Sequence, residues 1–337
     1  MKAYEIQQFG IENLALVERA EPSPKEAEVK VKFHAASLNY RDLMMVTGKY
    51  NPKLKTPLVP FSDGAGEVVE TGEKVTKFKP GDRVTPIFMQ GWHDGAIDYA
   101  KARTTLGGDT DGVLREFGTF DENGLVCIPD HFSYEEAATL PCAGVTAYNA
   151  LFCSCGLKPS ESVLLQGTGG VSIFALQMAG VFGAKTIITS SSDEKLERAK
   201  EFGADDLINY KKREDWDEAV LELTEKRGVD MVVEVGGAGT MPKSIRAVKM
   251  GGQVAVIGAL SKGGEGIDPV RVLQKTIRMN GIYVGSRQMF EDMNRFFTQH
   301  PHLKPFIDRT FDFAEVKDAL KYLESGAHFG KIVVKIQ

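Results

Sequence analysis

The sequence predicts an α/β chain in two parts, a doubly wound parallel sheet joined to a smaller β-rich domain. Three observations carry that reading. The length of 337 residues exceeds what one hydrophobic core usually serves. Residues 1–128 alternate short β-type runs with turns. Beyond about residue 160, strands and amphipathic helices alternate, the pattern of parallel strands linked by crossover helices.

In the first part, residues 29–33, 66–70 and 83–87 read as strands. Lys79-Pro80-Gly81-Asp82 marks a turn, because Pro presets φ and Gly permits φ > 0. Residues 90–118, rich in Gly, Asp and Thr, read as a long loop. Within it Asp109-Thr110-Asp111-Gly112 faintly resembles a calcium loop but lacks the remaining ligands, so a surface turn is expected.

In the second part, strands are expected at 162–166, 186–189, 206–209, 231–235, 253–257 and 278–284. Helices are expected between them at 171–182, 194–202, 216–226 and 241–248. Gly183, Gly203, Gly228 and Gly251 follow these helices and suit left-handed caps. The tail reads as helices at 290–299 and 313–325 and a strand at 331–334, predicted to return to the first domain. The expected domains are 1–128 with 286–337, and 129–285.

Composition narrows the function. Apolar residues at 42% and charged residues at 26% are ordinary for a folded protein. A net charge of −5, with no run of Lys and Arg, argues against nucleic-acid or anionic-membrane partners. Met1-Lys2-Ala3-Tyr4-Glu5 leads straight into alternating polar and apolar residues, so no signal peptide is expected. The longest apolar stretch, residues 171–184, is 14 residues long. A membrane span needs roughly 20. Cys127, Cys142, Cys153 and Cys155 are too few for a disulfide scaffold, so a reducing, cytoplasmic location is expected.

The strongest motif is the expected strand at 162–166 running into Gly167-Thr168-Gly169-Gly170-Val171-Ser172 and a helix. A dinucleotide pyrophosphate needs backbone N–H groups free of side chains and the positive end of a helix dipole. Gly167 suits the tight turn, Gly169 the close approach, and Ser172 stands in for the third glycine. Glycines recur at any tight turn, but here strand, turn and helix fall inside one βαβ unit.

NAD sites usually place a carboxylate at the end of the second strand for the ribose hydroxyls. Here that strand ends Thr189-Ser190-Ser191-Ser192, with no carboxylate before Asp193. Hydroxyls at Ser190 and Ser191, with Lys195 beyond, would donate to a 2′-phosphate. NADPH is therefore favoured over NADH. Ser191 with Glu194 also reads as a capping box, a compatible role.

Several segments taken in order resemble the medium-chain dehydrogenase/reductase superfamily, in its zinc-free quinone oxidoreductase-like branch, which overlaps zinc-type alcohol dehydrogenase-like proteins. They include Ser37-Leu38-Asn39-Tyr40-Arg41-Asp42, Gly64-Ala65-Gly66-Glu67-Val68-Val69 and Phe78-Lys79-Pro80-Gly81-Asp82-Arg83-Val84. Gly144-Val145-Thr146-Ala147-Tyr148, the glycine turn, Gly203-Ala204-Asp205 and His328-Phe329-Gly330-Lys331 complete the set. The resemblance implies a GroES-like catalytic domain built from both chain ends around an inserted Rossmann domain, with the active site in the cleft between them.

Zinc-dependent relatives carry Cys at the position of Asn39, Gly-His-Glu where this chain has Phe61-Ser62-Asp63, and a Cys matching Cys142. Only the last survives, and a catalytic zinc needs about three protein ligands. Cys153-Ser154-Cys155 offers no second pair and reads as two buried thiols, and His300-Pro301-His302 as surface. No metal is expected.

The resemblance also implies site residues, each with a plainer alternative. Tyr50, in Gly48-Lys49-Tyr50, matches a proton donor, with Tyr40 second; either could simply line a pocket. Asn39 and Asp42 match the pair beside the nicotinamide ribose, but their spacing equally suits a helix cap. Thr146 matches a hydroxyl on the nicotinamide-side phosphate, or packs a helix. Tyr210 matches a Tyr near the 2′-phosphate, and Gly258-Ala259-Leu260 would pass the nicotinamide. Lys331 matches a basic residue reaching the pyrophosphate, or is a solvated Lys.

The expected function is NADPH-dependent, metal-free hydride transfer to an enone, quinone or small carbonyl compound. One alternative is an alcohol dehydrogenase acting on a hydroxyl/carbonyl pair. Another is an NADPH-binding sensor or structural protein with little catalysis. The last Rossmann strand is an exposed-edge candidate, and a homodimer is expected.

Overall fold

A computed structural model describes residues 1–258 and 266–336. The chain divides into two compact units, Met1–Val145 with Val284–Gln337, and Thr146–Tyr283.

The first unit opens with a ribbon, β1 (Lys2–Ile6) antiparallel to β2 (Leu14–Glu18). Then follow β3 (Glu28–Ser37), helix α1 (Tyr40–Val46), β4 (Asp63–Thr71), β5 (Arg83–Pro86), the short α2 (Tyr99–Ala102), β6 (Phe117–Asp121), β7 (Leu125–Cys127) and α3 (Tyr134–Ala138). In β3, Val29, Val31, Phe33 and Ala35 recur at the two-residue spacing of a strand, and all are fully buried. β3 pairs antiparallel with both β4 and β6. Residues 129–145 belong to this unit rather than to the dinucleotide-binding part. Their helix α3, capped by Ser133 and Glu136, buries Ala137 and Ala138 and packs on β3 and β4.

Helix α4 (Val145–Tyr148) lies at the junction and leads into the second unit. This unit is built of β8 (Ser162–Gln166), α5 (Gly170–Val181), β9 (Lys185–Ser190), α6 (Asp193–Glu201), β10 (Asp206–Asn209), α7 (Trp216–Leu223), β11 (Val229–Glu234), α8 (Met241–Ala247), β12 (Val248–Val256), α9 (Pro269–Gln274) and β13 (Arg278–Gly281). Six parallel strands lie in the order β10-β9-β8-β11-β12-β13. The order reverses between β8 and β11, which makes their C-terminal ends the topological switch point. Leu164, Ile187, Val232 and Val254, one from each of four adjacent strands, share a core with Ile245 and Val220. Gly183 and Gly203 end α5 and α6 at φ 85° and 93°. Gly251, at φ 72°, sits inside β12 and not at a helix end, because the strand already begins at Val248.

The tail returns to the first unit as expected. Here α10 (Arg287–Gln299), β14 (Ile307–Asp312), α11 (Val316–Ser325) and β15 (Lys331–Lys335) follow, and the main sheet runs β14-β15-β3-β4-β5-β7. Helix α11 buries Val316, Ala319, Leu320 and Leu323, an i, i+3, i+4, i+7 stripe, in the same core as Phe33 and Phe61. Among the described residues no helix is long and apolar enough to cross a membrane.

Candidate functional site

The glycine turn is shaped as the sequence suggests. Gly167 adopts φ 68°, a conformation that favours glycine, and Gly169 caps α5 in extended geometry. A Cβ built on either residue would meet nothing within 4 Å, so the N-terminus of the 12-residue helix faces open space. Ser172 does the work of close packing by donating to the Gln166 carbonyl at 2.6 Å. Thr168 is buried, while Gly170 and Val171 are partly exposed.

At the end of β9, Ser190 is buried and Ser191 and Lys195 are half-exposed. Tyr210, just past β10, is 40% exposed and its N–H donates to the Ser190 carbonyl at 3.0 Å. The structure therefore brings Ser190 and Tyr210 side by side. The capping expectation is corrected. Ser192, not Ser191, caps α6, accepting from the Lys195 N–H, because β9 extends through Ser190. Asp193, the first carboxylate beyond the strand, is held by Asn209 at 2.7 Å and Lys212 at 2.6 Å. Those partners pull its carboxyl below the ordinary range.

Sequence reasoning missed a buried network at the switch point. Gln166 ends β8, Glu234 ends β11, and their side chains meet at 2.7 Å with Ser244 of α8. The only available signal was a carboxylate closing an apolar run. Gly258 packs so closely that a Cβ would lie 1.9 Å from the Val235 carbonyl oxygen. Ala259 and Leu260 lie outside the described residues.

In the first unit, α1 begins at a reciprocal cap. The Asn39 side chain accepts from the Asp42 N–H, and Asp42 Oδ2 accepts from the Asn39 N–H at 2.8 Å. Thus the capping reading of this pair is realised, and Asp42 is only 1% exposed. Its Oδ1 has no hydrogen-bond partner and lies 3.7 Å from the Arg41 guanidinium. Burial pushes the Asp42 carboxyl up to about 6, against the pull of Arg41.

The alternative of a solvated Lys331 is corrected. The residue is 3% exposed, and its ammonium donates to the Leu38 carbonyl and to Asn39 Oδ1, both at 2.6 Å. Asn39 Nδ2 faces Ser62 Oγ at 3.4 Å, Ser62 donates to Asp63 at 2.6 Å, and Asp63 accepts from the Cys142 N–H at 3.0 Å. Phe61, fully buried at φ 70°, is a strained residue that turns the chain into this network. The Cys142 thiol is pushed far up, first by burial and then by the Asp63 charge.

Tyr40 and Tyr50 are 44% and 46% exposed. The Arg41 guanidinium lies 5.8 Å from the Tyr50 ring centre and 4.9 Å from that of Phe88. Arg41 also donates to the Leu106 carbonyl at 2.6 Å and to Thr105 at 3.0 Å, tying α1 to the 105–112 loop. Asp109 and Asp111 in that loop spend their oxygens on Thr105, Val59 and Arg19. Thr146 is 3% exposed in α4. Cys155 is buried but Cys153 is exposed, which corrects the expectation of two buried thiols.

A parallel doubly wound sheet with an open glycine turn at a helix N-terminus is the architecture of a dinucleotide-binding domain. Residues 25–130 match the alcohol dehydrogenase GroES-like domain, and residues 170–299 match the zinc-binding dehydrogenase family. A zinc-type alcohol dehydrogenase-like protein of Schizosaccharomyces pombe is 43% identical over 317 residues, 92% of this chain and 91% of that protein. A 2-methylene-furan-3-one reductase of Solanum lycopersicum is 34% identical over 342 residues, 99% of this chain and 79% of that protein. The crystal structure of an NAD-dependent alcohol dehydrogenase matches at a TM-score of 0.90 and 32% identity, covering 100% of both chains. The chain belongs to the medium-chain dehydrogenase/reductase superfamily.

Family membership raises two non-protein groups. A nicotinamide dinucleotide fits the open cradle at Gly167 and Gly169. A zinc ion fits poorly. Among the described residues no three His, Cys, Asp or Glu side chains are placed to hold a metal. Around Cys142 stand an amide, a hydroxyl, an already bonded carboxylate and the Lys331 ammonium, not a set of about three ligands.

Proposed function

We propose that this protein is an NADPH-dependent, metal-free reductase of enones, quinones or small carbonyl compounds. The observation that carries the coenzyme half is the open glycine turn followed by a second strand that ends in serines. Hydroxyls at Ser190 and Ser191, with Lys195 and Tyr210 nearby, suit a 2′-phosphate. A free carboxylate would repel it, and Asp193 is already engaged by Lys212 and Asn209. Gly167, Thr168, Gly169, Gly170 and Val171 would hold the pyrophosphate, with Gly258, Ala259 and Leu260 toward the nicotinamide and Thr146 on its phosphate.

Bound coenzyme would supply a hydride to an electrophilic carbon. The chain's own part is to supply the proton that completes the reduction, from Tyr50 Oη, with Tyr40 as second choice. Asn39 and Asp42 act by fixing the start of α1, which carries Tyr40 and Arg41. Asn39 and Ser62, in place of a thiolate and an imidazole, support a mechanism without metal. The tomato relative, named as a reductase of an exocyclic enone, supports the acceptor class.

The second reading is an alcohol dehydrogenase, favoured by the names of two relatives, one of them NAD-dependent. Initial rates decide between them, using NADPH and NADH against enones, quinones and aldehydes, and the oxidised coenzymes against alcohols. Faster alcohol oxidation with NAD, or a stoichiometric zinc by elemental analysis, would replace the first reading with the second. No turnover on any acceptor would leave a nucleotide-binding protein without catalysis.

A homodimer and a cytoplasmic setting complete the proposal. Strand β13 ends the sheet, and Met250, Ile267, Val270, Leu273 and Tyr283 on that side of the unit are exposed apolar residues. Four free cysteines suit a reducing compartment. Light scattering that finds a stable monomer would remove the dimer.

A further inference from the structure

In an open parallel sheet, ligands bind beyond the carboxyl ends of the strands where the strand order reverses. Here that place lies between β8 and β11. The last residues of these two strands, Gln166 and Glu234, clasp one another across it. Gln166 Nε2 donates to Glu234 Oε2 and to Ser244 Oγ, each at 2.7 Å, and Ser244 donates to the same carboxylate oxygen.

The other oxygen, Oε1, holds the turn that follows β11. It accepts from the Gly236 N–H at 2.8 Å, the Gly237 N–H at 2.9 Å and the Thr240 hydroxyl at 2.6 Å. Gln166 Oε1 accepts from the Gly236 N–H as well, at 3.2 Å. The turn is wound tightly about the carboxylate. A Cβ on Gly236 would lie 2.3 Å from Thr240 Oγ1, and Gly237 sits at φ 91°. The main-chain oxygen of Glu234 accepts from Ile257 at 2.9 Å and Gly258 at 3.2 Å, which anchors the end of β12.

Glu234 is fully buried, and among the described residues it forms no ion pair. Burying a carboxylate without a counter-charge is costly, and here five donors offset that cost. A neutral side chain could fill the space more cheaply. What it could not do is accept from both walls of the crevice at once.

We propose that Glu234 is a positioning residue for the coenzyme: through Gln166 and the Gly236–Gly237 N–H groups it holds the turns after β8 and β11 at the spacing a dinucleotide requires. The proposal rests on the coenzyme reading above and deepens it. A preformed opening spares the nucleotide the cost of ordering two turns on binding.

The same two strands provide an internal control. At their opposite ends, Asp230 is buried and accepts from the Ser162 N–H at 2.8 Å and its hydroxyl at 2.7 Å. Dissociation constants for NADPH and NADH would be measured by nucleotide fluorescence, at a temperature where circular dichroism shows each variant folded. Glu234→Gln places an NH2 group against donors whichever way the amide turns, and is expected to weaken nucleotide binding about tenfold or more. The swap Gln166→Glu with Glu234→Gln restores an amide–carboxylate pair and is expected to bring binding back to within about threefold of wild type. Asp230→Asn is expected to lower the melting temperature yet leave nucleotide binding unchanged.

Unchanged binding in folded Glu234→Gln, no recovery in the swap, or an equal loss in Asp230→Asn would each overturn the proposal. Should Glu234→Gln not fold, Thr240→Val removes one donor to the same carboxylate. It is expected to weaken binding several-fold, and unchanged binding would again overturn the idea. A wild-type protein that binds neither nucleotide overturns the coenzyme reading itself, a result none of the variants can mimic.

Discussion

The buried ammonium of Lys331 donates to the side-chain oxygen of Asn39 at 2.6 Å, joining the start of the last strand to the start of α1. The pair lies beside two buried carboxylates, Asp42 and Asp63, each of which the Lys331 charge favours in its ionised form. Asn39 is therefore oriented from inside the protein.

Lys331→Met removes the two buried hydrogen bonds to the Leu38 carbonyl and Asn39 Oδ1 and the charge that favours ionised Asp63. Leaving a buried acceptor unsatisfied costs about 1–3 kcal/mol, so urea unfolding should show a loss of that order or more. Adding Asp63→Asn removes one stranded charge and should restore part of the stability. A double variant no more stable than Lys331→Met alone would show that the two charges are not coupled.

Asp42 gives the stability a pH dependence of defined sign. Burial raises its carboxyl from the ordinary 3.8 to about 6, so between these values the folded chain holds the proton more tightly than the unfolded chain. Its contribution is full at low pH, declines as pH rises through that window and then levels off. The whole effect is at most about 3 kcal/mol. Asp42→Asn keeps an oxygen for the Asn39 N–H but removes the titration. Relative to wild type, the variant should gain about 1–3 kcal/mol between pH of about 4 and about 7, measured by urea unfolding. A difference that does not vary with pH would contradict this account.

Gly169→Ala separates binding from folding. The residue is extended, not left-handed, and a Cβ there meets no atom of the chain within 4 Å. The stability cost should stay below about 1 kcal/mol, the typical scale for a helix N-cap change. The new methyl group would occupy the approach of a pyrophosphate, so NADPH binding should weaken about tenfold or more. Titration calorimetry that finds equal affinity would remove Gly169 from the coenzyme site.

The parts of this architecture that were legible in sequence are those set by local pattern. Strand β8 and strand β10 fall where alternation and turn residues put them, and the left-handed turn at Gly167 follows from residue type alone. Long-range partners were not legible. Lys331 looks like any Lys opening a strand, and only the antiparallel pairing of β15 with β3 carries its side chain inward to Asn39. Glu234 and Gln166 are 68 positions apart, and nothing local distinguishes a clasped carboxylate from a solvated one. The shift of the cap from Ser191 to Ser192 has a simpler cause. Three consecutive serines are equivalent as caps, and the choice is made by where pairing with β10 ends, at Ser190 opposite Asn209.

The remaining prediction concerns the proton. Tyr50 is half-exposed, and the Arg41 guanidinium lies 5.8 Å from its ring centre. Tyr50→Phe removes only the hydroxyl and retains the ring beside Arg41, so melting temperature should hardly change. General acid catalysis by a positioned side chain is worth about 10²–10⁴-fold, and kcat for enone reduction should fall by at least about 100-fold. The KM for NADPH should stay within a few-fold, since the phenol belongs to the acceptor's half of the reaction. Tyr40→Phe, which removes the neighbouring exposed hydroxyl at the start of α1, should cost only a few-fold. A large loss in Tyr40→Phe with none in Tyr50→Phe would exchange their roles. If neither variant slows turnover, the proton comes from water.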